Sequence, residues 1–154
     1  MVLGKEYEGD EGLISTIAHK FSNEIMRFFT GEYGVFGTRI AFSSKVGRFK
    51  ELFIMDMDGS NVRQLTNERG LAISAAWSAN GEQLVYTSYR RRVPDIFAYS
   101  LSSGDSRQVT RGAALEVGPE FSRDAESVLA SQSNNGESDI VLFDRKGRLL
   151  RNLT

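Results

Sequence analysis

The chain has 154 residues, a formal net charge of −1, 40% hydrophobic and 25% charged residues, which is an ordinary globular composition. Its near-neutral charge argues against a general nucleic-acid binder, which needs a basic surface to meet phosphates. The absence of cysteine excludes disulfides and thiolate chemistry, and no apolar run approaches the roughly 20 residues of a membrane span.

The first predicted element is an amphipathic helix over residues 13–29. Its apolar residues recur at spacings of three and four, at Ile14, Ile17, Phe21, Ile25 and Phe28. Asp10 is expected to cap the start of the helix, and Gly31 to end it in a left-handed conformation. Two alternatives stay open for the apolar stripe: the helix docks on the rest of the chain, or it has lost a domain of its own.

A repeat of 44 residues begins after a glycine-rich connector. Equivalent residues are Ile40, Leu84 and Val128; Leu52, Ile96 and Ile140; Arg63, Arg107 and Arg151; and Thr66, Thr110 and Thr154. A period of about 40–50 residues that holds several short strands is typical of a propeller blade. The sequence therefore predicts a mainly β fold: a partial β-propeller of just under three four-stranded antiparallel blades, preceded by one amphipathic α-helix.

The predicted domains are an N-terminal segment with its connector, over residues 1–37, and the partial propeller, over 38–154. The predicted blades are 38–66, 71–110 and 115–154. Inner strands are expected at 73–77 and 116–121, second strands at 39–43 and 83–88, third strands at 52–57 and 95–101, and outer strands at 61–66 and 106–110. The first blade lacks an inner strand. Trp77 and Phe121 end the inner strands and are predicted to wedge between blades.

The residues do not assemble a catalytic, cofactor or metal-binding set. His19 is the only histidine and has no partner at a useful spacing, so a structural or solvent role is favoured. Residues 56–59 resemble the start of a calcium loop, but the glycine and glutamate positions do not fit, which favours a hairpin turn. The run Arg90–Arg92 is expected in a solvated loop, with an anion-binding patch as the alternative.

The repeats resemble those of the TolB family of periplasmic propeller proteins. The matching residues are Trp77, Ser78, Asn80, Gly81, Thr87-Ser88, Asp95-Ile96-Phe97 and Arg107–Thr110. Ala79 replaces the family's proline, and the third copy departs further at Phe121–Ala125. The segment Ile17–Ile25 and the residues up to Phe42 resemble the last helix of the family's N-terminal domain and its passage into the propeller. Similar repeats occur in prolyl peptidases and the tricorn protease.

The resemblance, which covers roughly residues 5–154, implies a non-enzymatic protein of the Tol-Pal envelope system. The family carries a secretory signal and six blades, so the chain is expected to be an internal piece of a longer protein. Its partners would be the peptidoglycan-associated lipoprotein Pal and the inner-membrane protein TolA, and its location the periplasm. No cofactor, nucleic-acid partner or direct membrane insertion is expected.

Partner contacts are expected on the loops that lead into the inner strands. The candidate protein-binding residues are Leu71, Ile73, Leu115, Glu116 and Val117. Charge reversal at Glu116 is expected to weaken partner binding more than reversal in the Arg90–Arg92 loop. The open blade faces also predict self-association. Two other functions stay open: a propeller accessory to a prolyl-peptidase-like or tricorn-like hydrolase, and a cytoplasmic interaction scaffold.

Overall fold

The computed structural model describes Gly4 and residues 6–154; residues 1–3 and 5 of the predicted N-terminal segment lie outside the described part. The chain forms two compact units. One comprises Met1–Ile40 and Met55–Val62, and the other comprises Ala41–Ile54 and Arg63–Thr154. The predicted boundary after residue 37 stays a prediction.

The helix α1 spans Ile14–Thr30 and follows a short 3-10 turn at Glu11–Leu13. It ends as predicted at Gly31, which has a φ of 80° and bonds its N–H to the carbonyl four residues earlier. The predicted cap is wrong, because Leu13 occupies the N-cap position without a side-chain hydrogen bond. Asp10 instead accepts a bond from the Leu13 N–H through its main-chain oxygen, at 2.8 Å. Within the described chain, no helix combines the length and apolar content that a membrane crossing needs.

Three antiparallel sheets confirm the predicted fold class. The first contains β1 (Arg39–Val46), β2 (Phe49–Asp56) and β3 (Arg63–Gln64). The second contains β4 (Ala72–Trp77), β5 (Gln83–Ser88), β6 (Asp95–Ser100) and β7 (Ser106–Gln108). The third contains β8 (Leu115–Phe121), β9 (Ser127–Asn134), β10 (Glu137–Asp144) and β11 (Leu149–Asn152). Neighbours in each sheet follow chain order, and the first sheet lacks an inner strand, as predicted.

Both inner strands carry the same irregularity. The pairing of β4 with β5 shifts between Ile73 and Ala76, and that of β8 with β9 shifts between Val117 and Glu120. A residue with positive φ lies inside each shift, and the two occupy equivalent positions of the repeat: Ser74 at 55° and Gly118 at 62°. The bulge is therefore part of the repeat, and the sequence did not predict it.

Two apolar clusters lie between neighbouring sheets of the larger unit. The cluster between the first and second sheets contains Leu52, Ile54, Ala72, Leu84, Tyr86, Phe97 and Tyr99. The cluster between the second and third contains Val85, Ile96, Ala98, Val109, Val128, Ala130, Val141 and Phe143. Successive residues of β5 and β6 enter opposite clusters, because side chains alternate across a strand. The middle sheet is therefore buried on both faces, which is the burial predicted for its third strand.

Trp77 and Phe121 occupy the predicted places between the sheets. Each is half-buried at the end of an inner strand. Trp77 packs against the cluster between the first and second sheets, and Phe121 against the cluster between the second and third.

Candidate protein-binding surface

Three loops of the larger unit meet at one end of its sheets. They are residues 67–71, 89–94 and 111–115, and we call them the loop end. The N–H of Tyr89 donates to the main-chain oxygen of Leu71 at 2.8 Å, which joins the first loop to the second. The N–H of Glu116 donates to the oxygen of Pro94 at 3.1 Å, which joins the second loop to the third. The loop between β5 and β6 therefore lies beside the two loops that lead into the inner strands β4 and β8.

The five residues predicted to bind a partner differ in exposure. Leu71 and Leu115 are exposed, with 39% and 45% of their surface accessible. Ile73 and Val117 are half-buried, and Glu116 is 2% exposed. Their role in binding stays a prediction, and of these five residues Leu71 and Leu115 are the ones that expose large apolar side chains.

The Glu116 carboxylate is held in the interior. It accepts hydrogen bonds from Gln132 Nε2 at 3.0 Å and from Thr110 Oγ1 at 3.3 Å. Burial raises the pKa of Glu116, and the nearby Asp95 also raises it, while the two hydrogen bonds act in the opposite direction. Glu116 thus fixes the loop before β8 rather than presenting a charge on the surface. Because Glu116 is buried, charge reversal there would disturb the fold itself. A larger loss of binding at Glu116 than in the Arg90–Arg92 loop would therefore not identify Glu116 as a direct contact.

We expect Glu116→Gln to make the protein's stability less dependent on pH. Because folding raises the pKa of this carboxyl, its contribution to stability is fully present below the pKa of the unfolded chain. That contribution is lost as the pH rises through the folded-state value. As the pH rises from 4 to 8, the wild type should therefore lose free energy of unfolding relative to the variant. Urea denaturation at each pH measures the difference.

The matched control is Glu120→Gln, which changes an exposed glutamate on the same strand. Its difference from the wild type should stay flat over the same pH range. A flat difference for Glu116→Gln as well would contradict the assignment of a raised pKa.

A second buried carboxylate, Glu51, fixes the loop between β3 and β4. It is 1% exposed and accepts a hydrogen bond from Thr66 Oγ1 at 2.6 Å. It also accepts from the main-chain N–H groups of Glu68, at 3.0 Å, and Arg69, at 2.9 Å. The side chain therefore supplies acceptors to loop N–H groups as secondary structure does elsewhere.

Asp95 occupies the position equivalent to Glu51 in the next repeat, and it is bonded differently. Its Oδ2 accepts from Gln108 Nε2 at 2.9 Å, whereas its Oδ1 is buried without a hydrogen-bond partner among the described residues. Burial raises the pKa of Asp95, against the lowering effect of nearby arginines such as Arg91.

The repeated threonines bond the end of each outer strand to the third strand. Their Oγ1 atoms accept from main-chain N–H groups at 2.9 Å in three equivalent pairs: Thr66 with Leu52, Thr110 with Ile96, and Thr154 with Ile140. The sequence register located these residues but did not reveal the bond, because the acceptor is a side chain.

Glu68 joins the first two loops of the loop end. Its side chain is 5% exposed and accepts from Tyr86 Oη at 2.5 Å and from the Ser88 hydroxyl. Arg90 forms an ion pair with it at 3.2 Å and lies 3.6 Å from the centre of the Phe97 ring. Burial raises the pKa of Tyr86, and Glu68 raises it further, so the phenol stays protonated.

The exposed charge of the loop end is positive. Its one acidic residue, Glu68, is buried against Arg90, and neighbouring Glu51, Asp95 and Glu116 are buried. The residues left exposed include Arg69, Arg91, Arg92 and Arg111. Apolar side chains among cations suit an acidic protein surface better than a neutral one.

The smaller unit has its own polar cavity of about 290 Å³. His19 Nε2 lies 3.0 Å from Asp58 Oδ2, which gives the histidine a carboxylate partner on the turn between β2 and β3. Asp58 also accepts from the Ser60 N–H at 2.8 Å, and Gly59 turns the chain with a φ of 84°, in agreement with the predicted hairpin turn. Among the described residues, no three acidic or histidine side chains are grouped to hold a metal ion.

Comparison with known proteins gives consistent matches. The TolB beta propeller domain family matches residues 26–154. A Protein TolB homolog of Chlorobium chlorochromatii is 41% identical over 81 residues, which cover 53% of this chain and 18% of the relative. Tol-Pal system protein TolB of Geobacter metallireducens is 44% identical over 80 residues, which cover 52% of this chain and 19% of the relative. The matched segment thus spans about a fifth of these relatives.

Among solved structures, the crystal structure of TolB from Acinetobacter baumannii is similar over most of the chain. The TM-score is 0.81 at 29% sequence identity, and the match covers 90% of this chain and 36% of that one. The three sheets are therefore arranged as part of a known propeller.

Proposed function

Because this chain belongs to the TolB beta propeller domain family, we propose that it binds proteins as a component of a Tol-Pal system in the periplasm. The partner of the loop end is the peptidoglycan-associated lipoprotein Pal, and a second partner is TolA. The family match over residues 26–154 is the observation that carries this proposal. The name of the Geobacter metallireducens relative supports the choice of system.

The loop end is the proposed contact surface for Pal. Leu71 and Leu115 supply exposed apolar anchors, and Arg91 and Arg92 supply the cations beside them. The buried carboxylates beneath hold the loops in place, so little conformational entropy is lost on binding. On this arrangement the matching surface of the partner carries carboxylates around an apolar centre.

The proposed role is non-catalytic. A hydrolase would need a nucleophile with a base within hydrogen-bond reach, and the loop end instead carries arginines over buried carboxylates. The purified chain is therefore proposed to bind without turning over ester, peptide or phosphate substrates.

Calorimetric titration with the soluble domain of Pal from the same organism tests the proposal. We expect binding to the wild type. Leu71→Ala and the double reversal Arg91→Glu with Arg92→Glu should each weaken it about tenfold or more. A tenfold loss corresponds to about 1.4 kcal/mol of binding free energy. The effect of the double reversal should shrink in high salt, because exposed charges are screened.

The matched control is Arg123→Glu, which reverses an exposed charge on the turn between β8 and β9. It should leave the affinity within about twofold. An equal loss from Arg123→Glu, with none from the loop-end variants, would place the contact elsewhere, and no heat with any variant would reject Pal as the partner.

A further inference from the structure

Asparagine is followed directly by glycine at two places in this chain, Asn80-Gly81 and Asn135-Gly136. Both asparagines are exposed in turns: the first turn joins β4 to β5, and the second joins β9 to β10. Asparagine in this context deamidates readily in water, because glycine has no side chain to shield its main-chain nitrogen. The two turns hold their reacting groups differently.

Deamidation begins when the main-chain nitrogen of the glycine attacks the side-chain Cγ of the asparagine. A bond forms between these atoms, the bond from Cγ to Nδ2 breaks, and ammonia leaves with the proton of the glycine nitrogen. Water then opens the cyclic imide at one of its two carbonyls, which yields aspartate or isoaspartate. The reaction therefore needs an asparagine side chain and a glycine nitrogen that can rotate towards each other.

Hydrogen bonds hold both groups in the turn at Asn80-Gly81. Asn80 Oδ1 accepts from Ser78 Oγ at 2.7 Å and from the Glu82 N–H at 3.2 Å. Asn80 Nδ2 donates to Glu82 Oε2 at 2.9 Å. The Gly81 N–H donates to the main-chain oxygen of Ser78 at 2.8 Å. Attack at this site requires these bonds to break first.

The turn at Asn135-Gly136 leaves both groups unbonded. Neither the Asn135 side chain nor the Gly136 N–H has a hydrogen-bond partner among the described residues. Their φ values are 52° and 91°, and positive values are typical of the two-residue hairpin turns that favour this pair. Strand pairing ends at Asn134 and Glu137, so the tip of the hairpin can rotate without separating the strands.

The exposure of this turn does not depend on which sheet lies beside it. The equivalent positions in the preceding repeat are Arg91 and Arg92. Both arginines are exposed, although apolar clusters cover the two faces of their sheet. The tip of this hairpin therefore stays accessible to water when neighbouring sheets pack on both sides.

We propose that Asn135 is a deamidation site, at which the Gly136 nitrogen and then water convert the side-chain amide to a carboxylate. The folded structure protects Asn80, in spite of the glycine that follows it. Leu115 pairs with Ser133 at the start of β8, so the new negative charge lies beside the third loop of the loop end. The exposed charge there is otherwise positive, and the modification reduces it. This inference does not rest on the proposed function.

Incubation of the full chain in mildly alkaline buffer tests the proposal, with tryptic digestion and mass spectrometry as the readout. Trypsin releases Asn135 in the peptide 124–145 and Asn80 in the peptide 70–90. The first peptide should gain the mass difference between an amide and a carboxyl group and separate into aspartate and isoaspartate forms. Its conversion should be about tenfold faster or more, because several hydrogen bonds at Asn80 must open before attack.

Two controls separate the effect of the fold from that of the sequence. In concentrated urea, where the turns are lost, the two peptides should convert at similar rates. Asn135→Gln should abolish the conversion of peptide 124–145, because glutamine cyclises far more slowly than asparagine.

Equal rates for the two peptides in the folded chain, or faster conversion at Asn80, would overturn the proposal. So would conversion that persists in Asn135→Gln, since it would then arise at Asn134. A folded chain in which neither peptide converts, while both convert in urea, would also reject Asn135 as a site.

Discussion

Glu51→Ala should lower the free energy of unfolding by about 3–5 kcal/mol, the range for removing one partner from a buried charged network. The carboxylate is 1% exposed, and its loss leaves the Thr66 hydroxyl and the N–H groups of Glu68 and Arg69 without their acceptor. Urea denaturation followed by circular dichroism measures the change. Glu51→Gln should cost less, because the amide keeps one oxygen acceptor.

The control for this prediction is Glu120→Ala, which removes an exposed carboxylate and should change stability by less than about 0.5 kcal/mol. Equal losses from the variants at Glu51 and Glu120 would contradict the structural role of Glu51. A loss of structure confined to the loop between β3 and β4, with an unchanged free energy of global unfolding, would also contradict this role.

Trp77→Ala and Phe121→Ala should each destabilise the protein by about 3 kcal/mol. This is the lower end of the range for aromatic residues in a core, because both rings are half-buried. Each ring packs against a cluster between two sheets, so its removal opens a gap where two sheets meet. Chemical denaturation measures both effects.

Phe29→Ala is the comparison for the two aromatic truncations. Phe29 is 78% exposed near the end of α1, and its removal should cost less than about 0.5 kcal/mol. A similarly small effect at Trp77 or Phe121 would mean that the ring does not hold two sheets together.

The 44-residue repeat predicted the sheets well because equivalent residues of each copy occupy equivalent positions on the strands. The second strand of the middle sheet was predicted at 83–88 and lies at Gln83–Ser88. The first outer strand was predicted at 61–66 but contains only Arg63–Gln64, because Thr66 bonds to the third strand through its side chain. A side-chain bond of this kind leaves no mark in the alternation of apolar and polar residues.

The candidate surface was only partly predictable. Glu116 was expected on a partner-binding loop, although its equivalent in the preceding repeat, Ala72, is a small apolar residue and is 0% exposed. That correspondence was a signal of burial. The pair of Glu68 with Arg90 had no such signal, because the equivalent positions in the next repeat are Gly112 and Asn134. A sequence repeat predicts contacts that recur in every copy, but it gives no information about a contact that forms in one copy alone.

The burial of the middle sheet on both faces also determines where amide hydrogen exchange should be slow. Five successive residues of β5, Leu84–Ser88, are buried, and an apolar cluster lies on each face of the sheet. In a stack of repeats, each unit draws stability from its neighbours as well as from itself. A protected amide exchanges with solvent only when its hydrogen bond opens, and buried strands open least often. The amides of β5 should therefore exchange more slowly than those of the exposed residues Arg90–Arg92 that follow it.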